Sequence, residues 1–199
     1  MRKIGGSRTP DTSVVRDLRG DFLCGDNGRM GLPVIRTQRL VLRPWTHDDV
    51  EALHALWTSP DVRRYLWDDV VITREIAKRL VDSHIATADQ HGIGYWALHI
   101  LPVSLAEASI AGFCGFRFVD DGPEIELMYG LQAGHWGKGL ATEACLAAIE
   151  YLWCATGFQL VYARTDPPNE GSVRVMRRLG MAHQSTAPSM ITYVLRRPS

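Results

Sequence analysis

Apolar residues recur along this chain with two different periods. Val50, Leu53, Leu56 and Trp57 fall on one helical face, and Ile76, Leu80, Val81 and Ile85 form a similar stripe within residues 73–88. Residues 140–156 and 171–179 carry the same spacing and read as two further helices. Residues 39–42, 94–101, 109–118, 124–131, 160–165, 181–184 and 190–195 read instead as short strands, the 124–131 run on its β-branched and aromatic side chains. Thr46 and Asp49 stand at capping-box spacing ahead of the first helix, with Asp in place of Glu, and Pro60 is expected to end that helix. Asp120-Asp121-Gly122 turns one strand back into the next, and a loop over 102–108 joins the preceding pair, so residues 94–131 read as an antiparallel meander. The order β-α-α-β-β-β-α-β-α-β-β predicts an α/β (α+β) fold with a mixed, mostly antiparallel sheet of about six to seven strands and helices on both faces. No internal repeat competes with this reading.

Residues 1–33 mix Gly, Asp, Arg and Ser without periodicity, and Gly25, Gly28, Gly31 and Pro33 punctuate their end. They read as an N-terminal extension, mobile or draped on a single domain over residues 34–199. An apolar fraction of 46% in 199 residues is enough for one core. Lys plus Arg and Asp plus Glu are 22 each, and no basic run exceeds two residues, which argues against a nucleic-acid partner. The N-terminal residues show no apolar signal region, and no apolar run approaches the ~18 to 20 residues of a membrane span. A cytoplasmic protein without a membrane partner is the expectation.

Cys24, Cys114, Cys145 and Cys154 form no C-x-x-C pair, and the seven histidines show no metal-ligand spacing. Reduced thiols and no metal are therefore expected. His135 alone among the histidines is placed to touch a ligand, and even there a solvated loop histidine is the preferred reading.

The chemistry concentrates in Trp136-Gly137-Lys138-Gly139-Leu140-Ala141-Thr142-Glu143-Ala144, a turn between the 124–131 strand and the 140–156 helix. Gly137 and Gly139 permit positive φ, and the first helical amides have no internal partner and carry the positive end of the dipole. Such a turn is an anion cup. A Walker loop fails, because Gln132 stands where it needs Gly and Gly139 where it needs Ser or Thr. A dinucleotide fingerprint matches Gly137 and Gly139 but meets Thr142 at its third position, with no repeated βαβ units following.

The third candidate, the pyrophosphate loop Q/R-x-x-G-x-G/A of the GNAT acetyltransferases, aligns as Trp136-x-x-Gly139-x-Ala141, with Trp136 where Gln or Arg is usual. This W-G-K-G-x-A-T-E-A variant resembles the branch containing ribosomal-protein-alanine N-acetyltransferases. Other segments agree in order. Thr37-Gln38-Arg39-Leu40-Val41-Leu42-Arg43-Pro44 resembles the branch's opening strand, and Gly94-Tyr95-Trp96-Ala97-Leu98 its second. Glu126-Leu127-Met128-Tyr129 resembles its E-I-G-Y, with Met128 for Gly. Residues 169–181 resemble its closing N-x-x-S-x-x-V-x-x-x-L-G-F, with Met181 for Phe.

The resemblance implies a GNAT fold, splayed in the middle of its sheet, that binds acetyl-CoA. It places the pantetheine arm along Leu127, Met128, Tyr129 and Leu131 facing residues 160–164, with a freed amide near Leu127 or Met128 polarising the thioester carbonyl. The diphosphate falls on Trp136, Gly137, Lys138, Gly139, Leu140, Ala141 and Thr142; Lys138 is either a point charge on a phosphate or a solvated loop charge. Glu126 is the candidate base, with Glu124 two residues away on the same strand face, and both are alternatively plain solvent-facing strand residues. Asn169 is an anchor for pantetheine and Ser172 a proton donor to the thiolate or a helix cap. Glu143 reads as a structural first-turn carboxylate, and Tyr129, Trp96, Phe113, Phe116 and Trp153 as core. The first two helices flank the acceptor in this fold.

The acceptor implied is a primary amine. An α-amine of pKa near 7.7 to 8.0 is roughly a tenth neutral at pH 7 and a lysine of pKa near 10.4 well under a thousandth, which favours an α-amine or a small amine whose pKa the pocket depresses; the resemblance points to protein N-termini. A small-molecule amine or antibiotic, a non-catalytic acyl-CoA-binding module and a dinucleotide-binding redox protein are the alternatives. Monomer and homodimer are both compatible with the sequence.

Overall fold

The computed structural model describes residues 31–101, 109–119 and 122–198. Most of the expected N-terminal extension, the loop over 102–108 and the Asp120-Asp121 part of the turn lie outside the described residues. In chain order the elements are β1 (Ile35–Arg36), β2 (Leu40–Pro44), α1 (Val50–Thr58), α2 (Pro60–Leu66), α3 (Arg74–His91), β3 (Tyr95–Ile100), β4 (Gly112–Phe118) and β5 (Ile125–Leu131). Then follow α4 (Leu140–Ala155), β6 (Leu160–Thr165), α5 (Glu170–Arg178), β7 (Ala182–Ala187) and β8 (Met190–Arg196).

Among the described residues all strands join one sheet of eight in the order β1-β2-β3-β4-β5-β6-β8-β7. The expected six to seven strands become eight because β1, only two residues long, is added at the edge by pairing with β2. So short a run has no readable period. The second difference is α2. Pro60 does stop α1, but it also opens the next helix, since its fixed φ and missing N–H suit the first turn.

Alternation along the strands builds a core on each face. Trp96, Leu98, Phe116, Ile125 and Leu127 pack under α4 with Leu140, Ala144, Ala148 and Leu152. On the other face Trp45, Tyr95, Ala97 and Phe113 meet Leu53, Leu56 and Trp57 of α1 and Ala77 and Val81 of α3. Asp49 holds the entry to α1: its carboxylate accepts the Thr46 N–H at 2.7 Å and pairs with both terminal nitrogens of Arg43 at 2.6 and 3.0 Å. Cys114 and Cys145, remote in sequence, lie with their sulfurs 3.7 Å apart in the buried core, where burial pushes the Cys145 thiol up. Among the described residues no helix is long and apolar enough to cross a membrane, and no group of three or more His, Cys, Asp or Glu could hold a metal ion.

The sheet is weakest at its one parallel junction. β5 and β6 meet in the ladder only at Glu126 and Tyr162, whereas β4 pairs β5 from Gly112–Leu131 through Phe118–Ile125 and β6 pairs β8 along its whole length. Beyond Glu126 the two strands diverge.

Candidate active site

The divergence opens a cleft of about 430 Å³. Its walls are β5 from Leu127 to Leu131 on one side, Arg164 and Thr165 of β6 on the other, the start of α4 at one end, and residues of α2 and α5. Backbone groups of β5 facing β6 beyond the junction have no ladder partner there, so an extended ligand could pair with them as an added strand does.

The glycine turn closes one end. Gly137 and Gly139 have φ of 72° and 78°, the left-handed region that the sequence required of them. The Glu143 N–H bonds the Gly139 carbonyl at 3.1 Å, so Leu140, Ala141 and Thr142, which line the cleft, are the residues whose amides precede the first helical bond. Thr142 Oγ1 is shielded from solvent and has no hydrogen-bond partner among the described residues. Free amides, a dipole end and an unpaired hydroxyl at one wall fit a bound anion with several acceptor oxygens.

The other residues of this stretch divide. Trp136, Gly137 and His135 line the cleft, and the Trp136 indole N–H donates to the Leu131 carbonyl at 2.8 Å while its ring stays 47% exposed. Lys138 instead folds its ammonium onto the Gly134 carbonyl at 2.8 Å and is not among the cleft residues. Glu143 faces away from the cleft, towards Thr37 and Arg39.

At the opposite wall Asn169 caps α5, its side-chain oxygen accepting the Ser172 N–H at 3.0 Å. The cap is therefore Asn169 and not Ser172, whose hydroxyl lies 2.7 Å from the Tyr129 hydroxyl. Tyr129 is only partly core: its ring packs against the cluster under α4, and its phenol reaches across the cleft. Burial pushes that phenol well above its usual range, so it is a protonated donor at neutral pH.

Glu124 and Glu126 occupy different settings. Glu124 is exposed and precedes β5, whereas Glu126 is 1% exposed and directly opposite Arg117 of β4. The Arg117 Nε and Nη2 both donate to Glu126 Oε2, at 2.8 and 2.6 Å, and Arg164 Nη1 stands 4.0 Å from Oε1. Neither glutamate lines the cleft itself, though Arg164 does. Glu126 is thus not a solvent-facing strand residue but a buried carboxylate with one oxygen committed and one less so.

Sequence reasoning missed several cleft residues. Asp61, Val62, Tyr65 and Leu66 come from α2, the helix it did not anticipate, although Ser59 followed by Pro60 and Asp61 is a helix-start signal. Arg174 and Arg178 of α5 are one helical turn apart and both face the cleft.

Splayed parallel strands, a glycine turn and a helix N-terminus at the gap are the features expected of one fold family. The sequence profile described as acetyltransferase (GNAT) domain matches residues 39–182. The chain belongs to the GNAT acetyltransferase family. It is accordingly an acyltransferase. An uncharacterized N-acetyltransferase p20 of Bacillus licheniformis is 26% identical over 154 residues, covering 74% of this chain and 82% of that one. The spermidine N(1)-acetyltransferase of Escherichia coli (strain K12) is 23% identical over 141 residues, covering 71% and 72%. Among solved structures, an acetyltransferase from Agrobacterium tumefaciens str. C58 superposes with a TM-score of 0.72 at 22% identity, covering 87% of this chain and 99% of that one. The ribosomal L7/L12 alpha-N-protein acetyltransferase RimL in complex with coenzyme A has a TM-score of 0.62 at 18% identity, covering 80% and 95%. At these identities the two structures speak for the fold alone.

Proposed function

We propose that this GNAT enzyme moves the acetyl group of acetyl-CoA to an α-amine at a protein or peptide N-terminus. The observation that carries the donor half is the single ladder contact, Glu126 with Tyr162, beyond which β5 and β6 part and leave a cleft that Gly137 and Gly139 also line. The amides of Leu140 to Thr142 and the unpaired Thr142 hydroxyl hold the diphosphate, and the free edge of β5 pairs with the pantetheine. The Leu127 or Met128 amide stabilises the oxyanion as the amine nitrogen bonds to the carbonyl carbon. The carbon–sulfur bond then breaks, and Ser172, held by the Tyr129 phenol, hands its proton to the thiolate and takes up in return the one that the newly bonded nitrogen loses as it becomes the amide.

Glu126 takes the proton lost by the ammonium, through water, on Oε1, since Oε2 is occupied by Arg117. A base so encumbered serves an amine that is already partly neutral at pH 7, which an α-amine is and a lysine is not. Asp61 of α2 lines the cleft, and its carboxylate suits an approaching ammonium.

A polyamine is the second reading, motivated by the relative named for spermidine. The cleft walls weigh against it, because among the described residues Arg164, Arg174 and Arg178 line them beside Asp61 and Glu170 as the carboxylates. Thiol release from acetyl-CoA, measured with N-terminal peptides, spermidine and neutral small amines, tests both. Peptide-dependent release is expected. Release with spermidine alone would replace the acceptor, and saturable acetyl-CoA binding with no release for any amine would make the protein a binding module.

A further inference from the structure

Thr37 and Arg39 belong to the opening-strand motif, yet neither lines the cleft. We propose that they form a clamp which, through Glu143, holds the glycine turn from behind in the shape that receives an anion. The inference rests on the coenzyme A site proposed above.

Every oxygen of Glu143 is engaged. Oε1 accepts the Thr37 hydroxyl at 2.6 Å and the Arg39 N–H at 2.8 Å, and Oε2 accepts Arg39 Nε at 2.7 Å and lies 2.7 Å from Arg39 Nη2. Thr37 is itself fixed in the tight turn before β2, where the Leu40 N–H donates to its hydroxyl at 3.0 Å. The β1–β2 turn is thereby fastened to the first turn of α4, more than a hundred residues away. Burial acts to raise the Glu143 carboxyl, but Thr37 and Arg39 outweigh it and hold it below the usual range.

The remaining arm of Arg39 reaches the glycine turn. Nη1 donates to the Lys138 carbonyl at 2.8 Å, between the two glycines of positive φ. In a planar trans peptide the carbonyl and the next N–H point in opposite directions. Holding the Lys138 carbonyl outward on Arg39 therefore turns the Gly139 N–H to the other side, where Gly139 lines the cleft. Glycines at these positions can rotate readily, so without this bond the peptide plane is free to flip and withdraw its donor. The guanidinium also neutralises Glu143, a carboxylate otherwise placed at the same helix end as the anion.

Thr37, Arg39 and Glu143 are positioning residues, so their signature is a loss of donor affinity with the chemistry intact. Acetyl-CoA titration calorimetry and steady-state kinetics of Arg39→Ala, Arg39→Lys, Glu143→Gln and the Arg39→Ala/Glu143→Gln double variant test this. Arg39→Ala is expected to weaken acetyl-CoA binding about tenfold or more, the scale of losing charge-assisted bonds, with kcat at saturating donor and the amine KM within about twofold. Arg39→Lys keeps the charge without the fork and recovers only part of the affinity. The double variant loses less than the product of the two single losses, because both act on one unit. Unchanged affinity in Arg39→Ala, a kcat that falls as far as affinity does, or losses that multiply in the double variant would each overturn the clamp. A wild-type protein that binds no acetyl-CoA would overturn the donor site itself, whatever the variants do.

Discussion

The Tyr129 hydroxyl lies 2.7 Å from Ser172 Oγ and 3.1 Å from the Ser172 carbonyl, joining β5 to the first turn of α5 across the cleft. Two elements that flank the gap are thereby held at a set distance by a single phenol, and the serine hydroxyl is aimed by it.

Removing that phenol is expected to leave Ser172 present but unaimed. Tyr129→Phe should lower kcat about three- to tenfold, the scale of one hydrogen bond, with the acetyl-CoA KM within about twofold. Combining it with Ser172→Ala should give no further loss beyond Ser172→Ala alone. Steady-state kinetics of the two single variants and the pair check this; a multiplied loss would detach Tyr129 from Ser172.

Gly139 sets a separate test, since its φ of 78° makes any side chain strained there while the Cβ position itself meets only Arg39 Nη2 at 3.5 Å. Gly139→Ala should cost about 1 to 2 kcal/mol of stability and weaken acetyl-CoA binding moderately. Gly139→Glu should abolish binding by adding a negative charge beside the helix end. Equal affinities in calorimetry for the two variants would show that charge at this turn is irrelevant.

Glu126→Gln removes the buried carboxylate that faces Arg117 and Arg164. The turnover rate should fall at least about tenfold, with acetyl-CoA affinity within about twofold, since Glu126 does not line the donor cleft. A pH–rate profile indistinguishable from wild type would remove Glu126 from proton transfer.

His84 is expected to make stability depend on pH. Burial, aided by the charge of Arg117, pulls its imidazole down to about 4. Its ring also sits against Tyr95 and Trp45, at 4.5 and 5.8 Å between centroids. The folded state keeps His84 neutral while the unfolded chain protonates it near pH 6.5, so its contribution is intact above about 6.5. It is lost as pH falls from there to about 4 and amounts to no more than about 3 kcal/mol. Urea melts at pH 7 and pH 5 should show wild type weakened at the lower pH, and His84→Gln should flatten that difference. An unchanged difference would assign the effect elsewhere.

Much of this was readable in the chain. Helices α1, α3, α4 and α5 and strands β2 to β6 and β8 fall within a few residues of where apolar periodicity put them, because each buries part of its surface in the core, whereas β7, exposed along its whole length, is placed by its pairing with β8. Thr46 and Asp49 marked the start of α1, and Gly137 and Gly139 announced positive φ. The missed elements are those whose signal is local or too brief: β1 of two residues, and α2 of seven, hidden behind a proline that both ends and begins a helix.

By itself the sequence determined the order of elements and the glycine turn, since period, caps and glycine placement act over only a few neighbouring residues. Tertiary structure alone decided what the chemical groups face. It buried Glu126 opposite Arg117, joined Tyr129 to Ser172, turned Lys138 away from the cleft and tied Arg39 to Glu143. Those pairings depend on strand register and on where β5 parts from β6, and such long-range geometry leaves no trace in the spacing of residues along one strand.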